Sequence, residues 1–297
     1  MAKSILSNKD TLVKKASYLR IIAADFAESM KSGNFASLYK GQGIEFTGVR
    51  DYIRGDDIRA IDWNVTARMG RPYVKQFNEE RELQLFLIMD TSESMKMKVD
   101  QTSKYKKSSE AAAIVTIASE LNSCPIGAVF FDGKIHFSLK PKLSKEQTMT
   151  ILTKLDRKQE DKESGSALGQ AIGGASKLLK TRSLVFIFSD FKTSDWEKPL
   201  IGLSHKHDVI AVNMRDSQEE EISKIGTVTF EDIETGLKMP LPSSSVKLQK
   251  EWKKYNDSKL NYWSDFCKKH GVIPLVFNTK DDPLVVLNSV FKKSKTK

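Results

Sequence analysis

A chain of 297 residues, 39% hydrophobic and 29% charged, has the makeup of a soluble globular protein. It has room for one large α/β domain with an appendage, or for two modest domains. With two cysteines far apart and four histidines in no metal-type spacing, the sequence argues against a disulfide scaffold and against a zinc centre built from those residues. No stretch holds enough consecutive apolar residues to span a bilayer. MAKSILSNKD lacks the apolar core and cleavage site of a signal peptide. A protein of a reducing compartment without a membrane anchor is therefore expected.

Residues 10–31 are expected to form an amphipathic helix. Val13, Ala16, Leu19, Ile22, Phe26 and Met30 recur at three- and four-residue steps, and Gly33 supplies a stop. The next stretch, GQGIEFTGVRDYIRGDDIRAIDWNVTARMGRPYVKQFNEEREL, is dense in Gly, Arg and Asp, with strand-like pieces such as PYVKQF. It reads as a compact β-rich module held by charge-assisted hydrogen bonds. Arg50, Asp51, Arg54, Asp56, Asp57, Arg59 and Asp62 are expected to pin a turn by ion pairs. Exposed pairs are worth little singly, and a packed bidentate network more. The RGD at residues 54–56 belongs to this charged turn, and an intracellular setting argues against an integrin ligand. Trp63 is expected as core filler joining this module to the domain after it. Arg residues interleaved with Tyr52, Trp63 and Tyr73 could suit nucleic acid. Acids match the bases nearly one for one there, which blunts that footprint, and no specific nucleic-acid partner is expected.

From Leu83 onward strands and helices alternate. LQLFLIM is a buried strand by its continuous apolar run. A helix is expected over 104–122, then the strand IGAVFF, turned at Asp132-Gly133 into KIHFSL. Helices near 144–155 and 167–180 precede the buried strand SLVFIFSD. A short helix, the strand DVIAVNM, a hairpin around TVTFEDIETGLKMPL, a long helix near 245–270, the strand VIPLVF and a closing helix complete the chain. His205 and His207, just before DVIAVNM, are expected on a surface loop. Such alternation implies a three-layer, Rossmann-like α/β fold with a mainly parallel sheet. The boundaries expected are 1–81 for the helix and β-rich module and 82–297 for the α/β domain.

The net charge of +10 is carried largely by lysines in KMKVDQTSKYKK, KLQKEWKKY and the tail KKSKTK. The lysines at 250–254 read as the solvated face of a helix. Lys96 and Lys98 lie close behind a candidate site and would draw an acidic partner.

That site begins with two buried strands that end in acid, Asp90 after LFLIM and Asp190 after VFIFS. Ligands of open parallel sheets gather beyond the carboxyl ends of strands, and a carboxylate there is costly without water, a cation or hydrogen bonds. Ser92 and Ser94 follow Asp90 at alternate positions, and the turn ESGSALGQAI brings Ser166. On a straight strand Asp90 and Ser94 would be roughly 13 Å apart, whereas opposite oxygens around magnesium are about 4 Å apart. The chain must therefore curl within TSES for the five residues to share an ion. Their hard oxygens suit Mg²⁺, Mn²⁺ or Ca²⁺, and one position could take a partner's carboxylate. Other readings stay open. Ser92 or Ser94 could cap a turn or helix. Asp90 could be a phosphotransferase nucleophile, although Ser92 stands where the haloacid-dehalogenase pattern wants a second aspartate. A serine hydrolase would need a glycine-flanked elbow and a histidine, and neither is evident.

DTSESM, SGSALGQAI and FIFSDF resemble the three loops of a von Willebrand factor A domain, which build a metal-ion-dependent adhesion site. The resemblance makes Asp90, Ser92 and Ser94 the first-loop ligands, Asp190 the third-loop acid, and Ser166 the residue standing where that family usually has threonine. The long segment from GQGIEF through RDYIRGDDIRAIDWNVTAR and EERE to DTSESM resembles the bacterial family catalogued as domain of unknown function 58, and DVIAVNMRD and FEDIETG fit the same pattern. The resemblance implies a non-enzymatic protein of the bacterial cytoplasm that binds an acidic group of a partner through the metal site. It also implies work alongside a MoxR-type AAA+ ATPase in protein maturation or assembly. A metal-dependent hydrolase such as a phosphatase, using the same oxygens, is the alternative; it would need a general base that the sequence does not offer.

Overall fold

The computed structural model describes residues 20, 22–31, 43–80, 83–99, 102–156, 165–216, 227–231, 238–242 and 244–292. In chain order, helix α1 covers 22–31, strand β1 Gly43–Asp51, helix α2 Trp63–Met69, and strands β2 and β3 Tyr73–Glu80 and Gln84–Asp90. The short helix α3 is Glu93–Lys96, followed by β4 Lys98–Val99, β5 Thr102–Ser103 and α4 Lys104–Leu121. Then come β6 Ile126–Phe131, β7 Ile135–Lys142, α5 Lys145–Asp156, α6 Leu168–Leu178, β8 Ser183–Ser189, α7 Glu197–Ser204 and β9 Asp208–Arg215. The last elements are β10 Thr227–Glu231, β11 Lys238–Pro242, α8 Val246–Lys269, β12 Ile273–Asn278 and α9 Pro283–Lys292. The expected elements from Leu83 to the closing helix are all present, including the β10–β11 hairpin.

Six strands make the central sheet, in the order β12-β9-β8-β3-β6-β7. All neighbours are parallel except β7, which runs antiparallel to β6 at one edge. Side chains alternate across a strand, so each buried run feeds two cores. Leu85, Leu87, Met89, Phe186 and Phe188 face one layer with α4, α5 and α9. Phe86, Ile88, Val185 and Ile187 face the other, with α6, α7 and α8, where Trp263 and Cys267 are sealed in. Both faces are covered, as expected of a three-layer α/β arrangement.

Helix α1 belongs to the first of these cores. Phe26 and Met30 are fully buried among the α4 and α9 side chains. Asn122 donates Nδ2 to the Ala27 carbonyl at 3.0 Å, and Asn288 donates to Asp25 Oδ2 at 3.2 Å. The helix thus shares the sheet's core although it precedes residue 82. The earlier part of its expected span, residues 10–19, lies outside the described residues.

β1 and β2 form an antiparallel hairpin with an irregularity between Phe46 and Gly48. Between them the chain is helical rather than strand-like: a 3-10 turn at Ile58–Ala60 and then α2. The expected web of ion pairs is correspondingly reduced. Arg50 grips Asp56 with two bonds of 2.6 and 2.8 Å, and that hydrogen bonding holds the Asp56 carboxyl at about 2. Asp57 and Asp62 instead cap helices: Asp57 accepts from the Arg59 N–H, and Asp62 from those of Asn64 and Val65. Trp63 is not filler. It opens α2 with 66% of its surface exposed, and Ile53, Ile58 and Met69 are each more than half exposed nearby in sequence. A helix seven residues long, capped immediately before Trp63 and lying outside the sheet's cores, has no layer in which to bury the indole. His207 departs from expectation in the other direction. It is 5% exposed, and burial lowers its imidazole pKa. Among the described residues no helix is long and apolar enough to cross a membrane.

Candidate functional site

β3 and β8 are parallel neighbours, with Met89 opposite Phe188, so Asp90 and Asp190 leave the sheet side by side at its carboxyl edge. The chain does curl after Asp90. The Ser92 N–H turns back to Asp90 Oδ1 at 2.9 Å, and α3 starts one residue later. This brings Ser92 Oγ to 3.1 Å from Ser94 Oγ. Ser92 occupies the N-cap position of α3 but makes no side-chain capping bond, so its hydroxyl is not spent on the helix. The reading of Ser92 as an ordinary cap therefore loses its ground.

Ser166 reaches the same edge from the turn before α6. The adjacent Ala167 N–H donates to the Asp132 carbonyl at 2.6 Å, just beyond β6, whose Phe131 pairs with Asp90. The Ser166 hydroxyl oxygen is buried with no hydrogen-bond partner among the described residues. A buried hydroxyl left unpaired is costly, and an oxygen-seeking ligand would relieve that cost.

Three further residues complete the site without having been expected there. Lys104, the first residue of α4, is 1% exposed, and its Nζ lies 2.8 Å from Asp190 Oδ2. Ser189 donates to Asp90 Oδ2 at 2.6 Å while accepting from the Phe191 N–H at 3.1 Å. Thr91 donates to the Phe131 carbonyl at 2.8 Å and lies 2.9 Å from His136 Nε2. Lys104 was hidden in a lysine run, yet the signal was there. Lys104, Ser108, Ala111, Val115 and Ala118 follow at four- and three-residue steps, and all are buried. Of the two lysines expected to border the site, Lys96 is partly buried and pairs with Glu93 at 3.7 Å. The side chain of Lys98 lies outside the described residues.

The two carboxylates divide electrostatically. Burial, with the Asp190 charge adding to it, pushes Asp90 up to about 6 against the opposing bonds from Ser189 and Ser92. Burial pushes Asp190 upward too, but the ammonium of Lys104, helped by Lys192 and the Ser94 hydroxyl, outweighs it and holds Asp190 below its ordinary value. The loop after Asp190 carries backbone strain. Phe191 and Asp195 have φ of 52° and 66°, a left-handed conformation that a bulky aromatic rarely adopts. Phe191 is held there by the Ser189 bond and by ring contacts with Trp196 and Trp263.

Asp90, Ser92, Ser94 and Asp190 thus form one linked set, with Ser166 at its border. The donors are all oxygen, which fits a hard divalent cation, and the unpaired Ser166 hydroxyl fits it as well. Among the described residues no group of three or more His, Cys, Asp or Glu could hold a metal, so the charge offered is that of two carboxylates only. Such a set suits a weakly held ion completed by water and by an outside ligand.

Solved structures that match part of the chain include two from Bacteroides. The conserved hypothetical protein BatB of Bacteroides thetaiotaomicron is 16% identical with a TM-score of 0.47, the match covering 71% of this chain and 98% of that one. A protein of Bacteroides fragilis described as aerotolerance-related and membrane is 15% identical with a TM-score of 0.49, covering 71% and 97%. An uncharacterized protein of Mycobacterium tuberculosis (strain ATCC 25618 / H37Rv) is 29% identical over 207 residues, 69% of this chain. The match spans 65% of that relative's own length. The family model described as protein of unknown function DUF58 matches residues 48–260, from the β1–β2 hairpin across the site and into α8, and the chain belongs to the DUF58 family.

Proposed function

We propose that the chain is a non-enzymatic protein-binding module. In this reading Asp90, Ser92, Ser94, Ser166 and Asp190 hold a divalent cation, magnesium foremost, in the manner of a von Willebrand factor A adhesion site. A partner's carboxylate completes the coordination. The observation that carries the reading is the meeting of two buried carboxylates from adjacent strand ends with the linked hydroxyls of Ser92 and Ser94 and the buried Ser166 hydroxyl, which has no partner among the described residues. The bound cation would supply a positive centre at the sheet edge. The chain's own residues orient it: Ser189 and the Ser92 N–H fix the Asp90 carboxylate, and Ser94 fixes that of Asp190. Co-operation with a MoxR-type AAA+ ATPase in the cytoplasm, in maturation or assembly of client proteins, is part of the same proposal and rests on the family resemblance.

Manganese binding followed by electron paramagnetic resonance tests it. The wild type is expected to take up one ion per chain, weakly without partner, and Asp90→Asn to lose that uptake. Equal uptake by both proteins would overturn the assignment of the site.

A further inference from the structure

The candidate site already contains a cation. Lys104 Nζ sits 2.8 Å from Asp190 Oδ2 in a pocket where the lysine is 1% exposed and the acid 9%. It is delivered by the first turn of α4, where Ser103 caps the helix by accepting from the Lys106 N–H at 3.1 Å. The helix then runs on through the buried Ser108, Ala111 and Val115. The ammonium is therefore anchored by a packed element and is not a surface side chain that wandered in.

Its charge changes what the site can accept. Asp90 and Asp190 together carry two negative charges when ionised, and Lys104 returns one positive charge. A divalent ion added to that set leaves a buried excess of one positive charge, which low-dielectric surroundings penalise heavily. A carboxylate arriving with the ion removes the excess. Without Lys104 the two acids would neutralise a divalent ion by themselves, and no outside acid would be needed.

We infer that Lys104 is the site's resident counter-cation and makes divalent-ion binding conditional on an acidic ligand, so that ion and partner carboxylate bind as a coupled pair. This rests on the metal-bridging reading and adds to it a thermodynamic linkage between two ligands. Coupling of this kind is reciprocal: the carboxylate tightens the ion by the factor by which the ion tightens the carboxylate. Lys192 also acts on Asp190, but it is exposed and screened by solvent, so it contributes less.

The test is calorimetric titration of Mn²⁺ into wild type, Lys104→Met and Asp90→Asn, each with and without sodium acetate as the carboxylate probe. Wild type is expected to bind weakly and to tighten with acetate. Lys104→Met is expected to bind roughly tenfold tighter or more without acetate and to lose most of the acetate dependence. Lys104→Gln, which keeps a hydrogen-bond donor for Asp190, is the second variant. If Lys104→Met folds poorly, Mn²⁺ is expected to raise the melting temperature of Lys104→Gln more than that of wild type. Binding by Lys104→Met and Lys104→Gln that equals or falls below that of wild type would overturn the inference while leaving the metal reading intact. Absence of binding in wild type, Lys104→Met and Lys104→Gln alike, or equal binding by wild type and Asp90→Asn, would overturn both.

Discussion

Asp190→Ala is expected to destabilise the protein by about 3–5 kcal/mol, the usual cost of removing one partner from a buried ion pair. In a chain of this size that is a fall in melting temperature of roughly 10 °C. The reason is Lys104, whose ammonium would stay 1% exposed without the carboxylate now 2.8 Å away. Asp90 is expected to behave in the opposite sense. Its folded pKa of about 6 lies above the ordinary carboxylate value, so the fold favours its protonated form. The stability it contributes is complete below the unfolded carboxylate range and is lost as pH rises through about 6. Asp90→Asn, which imitates the protonated acid, is therefore expected to be neutral or stabilising at neutral pH, by up to about 3 kcal/mol at roughly 1.4 kcal/mol per pKa unit. Urea denaturation in chelator decides the matter. Equal losses in the two variants would show that the lysine does not divide the acids.

Gly169→Ala is expected to weaken both fold and site. A methyl group at this position would run into the backbone carbonyl of Asp195. Gly169 lies in the first turn of α6, three residues after Ser166, and Asp195 five after Asp190, so the segment carrying Ser166 and the loop carrying Asp190 are in contact through the missing side chain. Asp195 already holds a left-handed φ of 66° and has little freedom to retreat. Overpacking of this kind costs about 1–3 kcal/mol, and relief requires one loop to shift, carrying Ser166 or Asp190 with it. Denaturant midpoint and Mn²⁺ affinity should fall together. A Gly169→Ala protein with wild-type values of both would contradict this loop packing.

Much of the sheet was legible because its strands, such as LFLIM and VFIFS, are buried on both faces and so read as unbroken apolar runs. The meeting of Asp90 and Asp190 was legible for a related reason: an acid ending such a run has to be explained by something it meets. Lys104 escaped because its charge was counted with the lysines around it, while its helical phase, which fixes its burial, was not. Ser189 escaped inside an apolar run, since a hydroxyl adds little polarity and its importance lies in bridging Asp90 to the Phe191 backbone. Trp63 shows the converse limit. Hydrophobicity states what a side chain prefers, but only the packing partners of α2 determine whether the preference is met.

The burial of Cys267 makes the molecule its own clock. Burial pushes this thiol up to about 12, so almost none of it is reactive thiolate in the closed protein at neutral pH, and Cys124 is shielded by being buried in the other layer. An alkylating reagent should reach Cys267 only when α8 lifts from the sheet, and Cys124 only when the opposite layer opens. The two labelling rates, read site by site by mass spectrometry, should report how often each layer opens. A divalent ion taken up with its acidic ligand should slow whichever opening also takes the site apart, while similar rapid labelling of both thiols in the native state would contradict the sealed packing.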